Sequence, residues 1–365
     1  MVEPRPELLA MPGYTPGRSV ATVERELGVQ GVIKLASNES LWGTSPAVIK
    51  AAEESLHRLN VYPEVIAGDL VAELADRAGL ADEAILVGNG ADELLRLLAI
   101  AYVRPGDTVL YPHPSFAAYP DAARLMGGIP LAVPTHPQGY VDLEAMADRM
   151  DASTRLIYLC NPNNPTGGIF TQSAWTRFLE RVGEQAVIVV DQAYREFVDD
   201  PAYAGVEDAI RQGLPVAMVR TFSKLYGLAG ARVGWLAATP PTVSLLHRVR
   251  EPFSVNQVAL AAAQAALADT AYFDRVRRET ISLRTWLSAE LKARGFPVLA
   301  SSQANFVTFD CRRDAIEFTR RLELQGVIIR PGTSFGLATH CRVTVAPRPV
   351  LVRFLKVLEV VGREP

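Results

Sequence analysis

The run Ala186-Val187-Ile188-Val189-Val190-Asp191-Gln192-Ala193-Tyr194 decides the fold. From Ala186 to Val190 it is apolar at every position, without the polar alternation of a half-exposed strand, so it reads as a strand buried on both faces. The run ends on a carboxylate. An aspartate there is costly to ionise unless a cation or a strong donor faces it, which predicts a positive group opposite Asp191. The competing reading makes Asp191 a helix N-cap.

Working outward, similar strand-like runs occur at Ala84–Val87, Thr108–Tyr111, Ile129–Val133, Leu156–Cys160, Val216–Thr221 and Val233–Ala237. Between them lie amphipathic stretches such as Ala91–Val103, Phe116–Met126 and Ser173–Val182, with apolar residues at helical spacing. Alternation of this kind predicts an α/β fold with a mainly parallel central sheet covered by helices. Beyond about residue 250 the pattern changes to a long Ala-rich helical region, Asn256–Ala293. Strand-like Asn305–Asp310, a helix around Asp314–Gln325, strands Gly326–Arg330 and Cys341–Val345 and a final helix Val350–Val361 follow. This is a smaller α+β unit. The expected division is a large domain over 40–255, and a small C-terminal domain over 256–365 joined by an N-terminal arm, 1–39.

The 365 residues suffice for two domains with a sizeable core. With 37 basic against 40 acidic residues there is no excess positive charge to attract a polyanion, so nucleic-acid binding is disfavoured. No apolar run approaches the ~20 residues of a membrane span, and the amino terminus lacks the basic start and apolar stretch of a signal peptide. A cytoplasmic protein is expected. Cys160, Cys311 and Cys341, odd in number and far apart in sequence, fit neither a disulfide framework nor a zinc site, and the five histidines show no paired-ligand spacing. No metal site is expected.

Only five of the basic residues are lysines, a skew that codon usage in a GC-rich genome explains. One of them, Lys224, sits among aromatic and small residues in Thr221-Phe222-Ser223-Lys224-Leu225-Tyr226-Gly227-Leu228-Ala229-Gly230-Ala231-Arg232. Either it is a solvated lysine, or it is partly buried, loses its proton readily and serves as an amine nucleophile. Ser223 and Arg232 would add an anion site beside it. In Ile85-Leu86-Val87-Gly88-Asn89-Gly90-Ala91-Asp92-Glu93 a strand runs through glycines into an acidic helix start. This turn is either a plain capped helix or a phosphate cradle built from free N–H groups and the helix dipole. Glu93 stands where a dinucleotide fingerprint needs its third glycine. After a buried strand, Asn161-Pro162-Asn163-Asn164-Pro165-Thr166-Gly167-Gly168 is either an ordinary rigid turn or a set of amides at the ligand-binding edge of the sheet. Taken together, a phosphate cradle, an amide donor, a buried carboxylate and a reactive amine are the four things pyridoxal phosphate requires.

With these motifs assembled, the chain resembles the fold-type I pyridoxal-phosphate aminotransferases, in the histidinol-phosphate aminotransferase branch, from about Tyr14 to Leu358. The resemblance runs through Lys34-Leu35-Ala36-Ser37-Asn38-Glu39, the GNGADE turn, the NPNNPTG turn, Asp191-Gln192-Ala193-Tyr194, the lysine segment and Cys341-Arg342-Val343-Thr344-Val345. It implies that Lys224 attaches to the cofactor aldehyde and then shuttles a proton on substrate, while Asp191 pairs with the pyridinium nitrogen. Asn164 and Tyr194 are implied to hydrogen-bond the phenolic oxygen. The backbone amides of Ala91 and Asp92, with Ser223 and Arg232, would hold the phosphate, and Phe116 would stack on the ring.

Tyr62 matches a tyrosine that reaches the phosphate from the neighbouring subunit, which implies a homodimer with shared sites. Arg342 matches the clamp on a substrate carboxylate. Arg330 matches the position for a distal phosphate, assisted by Tyr14; apart from the resemblance, a surface ion pair also accounts for Arg330. The implied activity is transfer of an amino group from histidinol phosphate to 2-oxoglutarate, by ping-pong through pyridoxamine phosphate, in amino-acid biosynthesis. Aromatic amino-acid aminotransferases and threonine-phosphate decarboxylases are built on similar motifs and are the alternatives. Two departures from the family, Ser40-Leu41-Trp42 and Ala346-Pro347, adjoin the substrate end of the site.

Overall fold

The computed structural model describes residues 2–9, 11 and 18–363. Its strands in chain order are β1 (Ile33–Lys34), β2 (Ile85–Gly88), β3 (Thr108–His113), β4 (Ile129–Pro134), β5 (Thr154–Cys160), β6 (Val187–Asp191), β7 (Val216–Thr221), β8 (Gly234–Ala237), β9 (Phe306–Asp310), β10 (Val327–Ile328), β11 (Arg330–Pro331) and β12 (His340–Thr344). Seven of them form one sheet in the order β2-β8-β7-β6-β5-β3-β4. All its pairings are parallel except those of β8, which runs antiparallel to both β2 and β7. The expected mainly parallel sheet is therefore present, and all seven strand-like runs of the first 240 residues take part in it.

Apolar clusters lie on the two faces of the sheet. On one, Ile188 and Val190 of β6 pack with Ile157, Leu159, Met218, Trp175 and Phe178; on the other, Val189 joins Leu156, Tyr158, Val219 and Leu98. Alternate residues of a single strand thus serve opposite cores, which is why the run needs no polar position. The first cluster continues past residue 255 through Ala259, Ala263, Phe273 and Val276.

A second, antiparallel sheet has the order β11-β12-β9, while β1 and β10 make a separate parallel pair. A cluster around Phe309, Phe318, Val343 and Phe354 fills this smaller unit. Two expectations are corrected here. The helical region over Asn256–Ala293 is not continuous: it forms Gln257–Ala268 and Thr270–Ala293, because the Asp269 carboxylate caps the second helix by accepting from the Tyr272 N–H at 3.3 Å. The expected strand Gly326–Arg330 divides after Ile328, since Val327–Ile328 pairs with β1 whereas Arg330–Pro331 turns to pair with β12. Pairing of β9 with β12 also brings Cys311 and Cys341, remote in sequence, to a sulfur separation of 3.9 Å as free thiols. Among the described residues no helix is long and apolar enough to cross a membrane.

Candidate active site

Because parallel strands end on the same side, β5 and β6 deliver the Asn161–Gly168 turn and Asp191 to one edge of the main sheet. The loop from the end of β7 to the start of β8 carries Lys224 and Arg232 to that edge as well. It is held by hydrogen bonds from Phe222 N to Val233 O and from Leu228 N to Phe222 O, each 3.1 Å. Gly227 adopts φ +68° where a Cβ would lie 2.5 Å from the Gly43 carbonyl oxygen. A glycine is required there both for the left-handed backbone and for the close approach of the segment over residues 37–44.

Asp191 is 4% exposed and, among the described residues, has no cation in hydrogen-bond contact. Tyr119 Oη donates to its Oδ2 at 2.8 Å, and the Ala193 N–H donates to its Oδ1 at 3.0 Å. Both donors are neutral, and Lys224 acts on Asp191 only through space. Burial dominates and pushes the carboxyl up to about 6, against the opposing effects of Tyr119, Ala193 and Lys224.

Lys224 is the partly buried amine of the two readings. Burial, reinforced by the nearby Arg342 charge, lowers its ammonium to about 8. Nζ donates to the Ser37 carbonyl at 3.4 Å and lies 5.7 Å from the centre of the Tyr194 ring. Tyr194 is itself buried, its phenol pushed upward by desolvation, and its oxygen accepts from Asn38 Nδ2 at 3.0 Å.

The three asparagines of the turn behave differently. Asn161 and Asn163 are consumed in building it: Asn161 Oδ1 accepts from the Phe170 N–H at 3.0 Å, and Asn163 takes the Ser115 hydroxyl at 2.7 Å while donating to Pro114 O at 3.0 Å. Asn164 instead accepts from Arg342 Nη1 through Oδ1, which leaves its NH₂ end as a donor.

At the other side, Ala91 and Asp92 lie in the first turn of the helix Gly90–Tyr102, whose start has no side-chain cap from Asn89. Arg232 reaches across this start, pairing with Asp92 Oδ2 at 3.2 Å and donating to Ser223 Oγ at 3.4 Å. Free helix N–H groups, a buried hydroxyl and a guanidinium thus converge as an anion cradle. Phe116 packs edge-on against Tyr119, with centroids 5.8 Å apart.

Arg342 and Arg330 are direct cross-strand partners on β12 and β11. Both guanidinium carbons lie over the Phe335 ring, at 5.5 and 6.0 Å from its centroid. Arg342 is 5% exposed, donates from Nη2 to Ala36 O at 2.7 Å, and has an Nε–H without a partner among the described residues. Burial, with the Arg330 charge adding to it, lowers its guanidinium to about 10.

The structure therefore brings together Lys224, Asp191, Tyr194, Asn164, Arg342, Ser223, Arg232, Ala91, Asp92, Phe116 and, through Phe335, Arg330. It does not bring Tyr62 to its own chain's site: that residue is 78% exposed and stacks on Phe253 at 4.6 Å. Tyr14 lies outside the described residues. Tyr119, Asn38 and Phe335 also belong to the site, touching Asp191, Tyr194 and Arg342, although nothing in the sequence around them singles them out.

An amine, a buried acid, an anion cradle and paired arginines on this fold define a class, and the comparison with known families agrees: the chain belongs to aminotransferase class I and II, whose family model matches residues 30–356. Similar relatives are the histidinol-phosphate aminotransferases of Moorella thermoacetica, 41% identical over 97% of this chain and 92% of the relative, and of Symbiobacterium thermophilum, 42% identical over 96% of each. A similar solved structure is the histidinol-phosphate aminotransferase of Sinorhizobium meliloti in complex with pyridoxal-5'-phosphate. It has a TM-score of 0.89 at 29% identity, covering 98% of this chain and 97% of that one.

Proposed function

We propose that this chain is a pyridoxal-phosphate-dependent histidinol-phosphate aminotransferase, exchanging an amino group between histidinol phosphate and 2-oxoglutarate. The observation that carries the substrate reading is the Arg330–Arg342 pair. Like charges directly opposite on an antiparallel ladder are destabilising, and a buried guanidinium N–H without a partner is costly, so the arrangement suits ligands that bring anions. Histidinol phosphate and 2-oxoglutarate both do so, and relatives 37–42% identical over nearly the whole chain carry that activity in their names. Phenylalanine would leave one arginine unmatched, and the relatives do not favour the alternatives.

The residues fit the cofactor. A buried carboxylate without an ion-pair partner suits a pyridinium N–H, and the Ala91 and Asp92 amides with Ser223 and Arg232 suit a phosphate. When bound, pyridoxal phosphate supplies the electron sink for the charge left on substrate carbon and carries the amino group between half-reactions. Lys224 Nζ, lowered to about 8, is partly neutral near pH 7 and can take up and return a proton. Asp191 holds the proton of the ring nitrogen, Asn164 and Tyr194 donate to the phenolic oxygen, and Phe116 covers a ring face. Arg342 grips the carboxylate of the oxo acid, Arg330 the phosphate of histidinol phosphate, and Tyr14 assists from the amino-terminal arm. The proposal includes a cytoplasmic homodimer in which Tyr62 completes the neighbouring protomer's phosphate site.

The test is a side-by-side assay of histidinol phosphate, phenylalanine and threonine phosphate with 2-oxoglutarate as acceptor. Histidinol phosphate is expected to have the highest kcat/KM. Arg330→Ala is expected to lower it about 100-fold, as loss of a charge-assisted contact of about 2–3 kcal/mol requires, with little effect on phenylalanine. Lys224→Ala is expected to lose both the yellow colour and turnover. Full turnover in Lys224→Ala, or a preference for phenylalanine, overturns the proposal.

A further inference from the structure

Asn38 carries no role in anything described so far, yet it joins three parts of the site. It is 1% exposed and adopts a left-handed φ of 56°. Its N–H donates to Thr344 Oγ1 at 3.0 Å, the Thr344 hydroxyl donates to Asn38 Oδ1 at 3.2 Å, and Asn305 Nδ2 donates to the Asn38 carbonyl at 3.1 Å. Its remaining polar group, the side-chain NH₂, donates to Tyr194 Oη at 3.0 Å.

These bonds fix proton directions. Thr344 is fully buried, and besides accepting from the Asn38 N–H its hydroxyl has Asn38 Oδ1 as the acceptor for its own proton, which places the amide oxygen at Thr344 and the NH₂ at Tyr194. A phenol oxygen that accepts from Asn38 has its O–H left for another acceptor. The ring that carries it is packed edge-on against Phe306, with centroids 5.1 Å apart. Thr344 lies two residues beyond Arg342 on β12, so the same chain of bonds links the phenol to the strand of the clamp.

We propose that Asn38 is a positioning residue that aims the Tyr194 hydroxyl proton into the site and ties it to the strand bearing Arg342. The inference rests on the reading of the site as a pyridoxal-phosphate site, with the phenolic oxygen of the cofactor as the acceptor. A donor aimed at that oxygen favours its ionised form, so it keeps low the pH midpoint at which the bound cofactor changes colour. Removing Asn38 lets the hydroxyl turn away, and the midpoint rises.

The experiment titrates the visible absorbance of the holoenzyme in wild type, Asn38→Gly, Tyr194→Phe and the double variant, with the cofactor affinity of each apoenzyme measured alongside. Glycine tolerates the left-handed backbone, so the substitution removes the side chain without adding strain. Asn38→Gly is expected to raise the midpoint by about one pH unit, the size of a lost hydrogen bond to an ionised group. It is expected to weaken cofactor binding severalfold in the Tyr194 background and to change neither quantity further in Tyr194→Phe. A midpoint that stays in place, or that shifts equally in the Tyr194→Phe background, overturns the inference. Should Asn38→Gly fail to fold, Thr344→Val frees the amide to rotate and is expected to raise the midpoint in the same Tyr194-dependent way, with an unmoved midpoint counting against it. A wild-type protein that stays colourless with added pyridoxal phosphate overturns the cofactor reading itself, whereas a coloured wild type with an insensitive Asn38 variant overturns this inference alone.

Discussion

Asp191 is an acid kept from water in the company of a phenol and a backbone amide. Its native carboxyl is raised from 3.8 to about 6, so the cofactor-free fold binds this proton more tightly than the unfolded chain does. The stability gained is full below about pH 4 and lost as pH rises through about 6. Asp191→Asn removes that dependence. Thermal unfolding of the cofactor-free proteins is expected to show the variant more stable above pH 7, by up to about 3 kcal/mol, with the gap closing by pH 4. Superimposable curves would assign the pH dependence to other groups.

Asp191 and Lys224 were legible in the sequence because each is chemically out of place, a carboxylate ending an apolar strand and a lysine among aromatics in an arginine-rich chain. Tyr119, Asn38 and Phe335 were not, since a tyrosine on a helix, an asparagine in a loop and a phenylalanine after a proline-glycine turn are ordinary in composition. Only their partners, brought from 72, 156 and 7 positions away, reveal them.

At the level of elements, the strands of the main sheet could be read because burial on both faces writes a continuous apolar run. The break at Asp269 could not be read from alanine content, although an aspartate ahead of a threonine is a capping signal. The division of β10 from β11 depends on partners more than 290 and about 12 residues away, β1 and β12, which no local pattern encodes. The lysine loop shows how an element constrains a single position. Gly227→Ala puts a methyl 2.5 Å from the Gly43 oxygen in a left-handed backbone, whereas Gly213, at φ +81°, has nothing within 4 Å of its would-be Cβ. Both alanines carry the conformational cost of about 1 kcal/mol. Gly227→Ala is expected to lose at least about 2 kcal/mol more than Gly213→Ala in denaturant unfolding and to bind pyridoxal phosphate more weakly, because the loop moves the amine.

For the whole molecule, Leu56, Leu59, Val61, Tyr62, Val65 and Ile66 are exposed in one stretch of chain, and Tyr62 stacks on the part-exposed Phe253. Exposed apolar side chains of this kind are what the proposed homodimer would cover. Sedimentation is expected to give about twice the 39.7 kDa chain mass. Tyr62→Ala is expected to weaken cofactor binding about tenfold, a loss of about 1.4 kcal/mol, without touching Lys224. A monomer with unaltered cofactor affinity would remove Tyr62 from the site.

The reversed strand β8 has an effect on mechanics. Its two neighbours are β7, from whose end the lysine loop departs, and β2, whose last residue Gly88 pairs with Gly234 at the start of β8. The helix-start half of the anion cradle, Ala91 and Asp92, is therefore tied through one ribbon to the loop that carries Ser223, Lys224 and Arg232. The cofactor's seat thus rests on the ladders of the seven-stranded sheet, and none of those ladders includes a strand of the separate, arginine-bearing sheet β11-β12-β9.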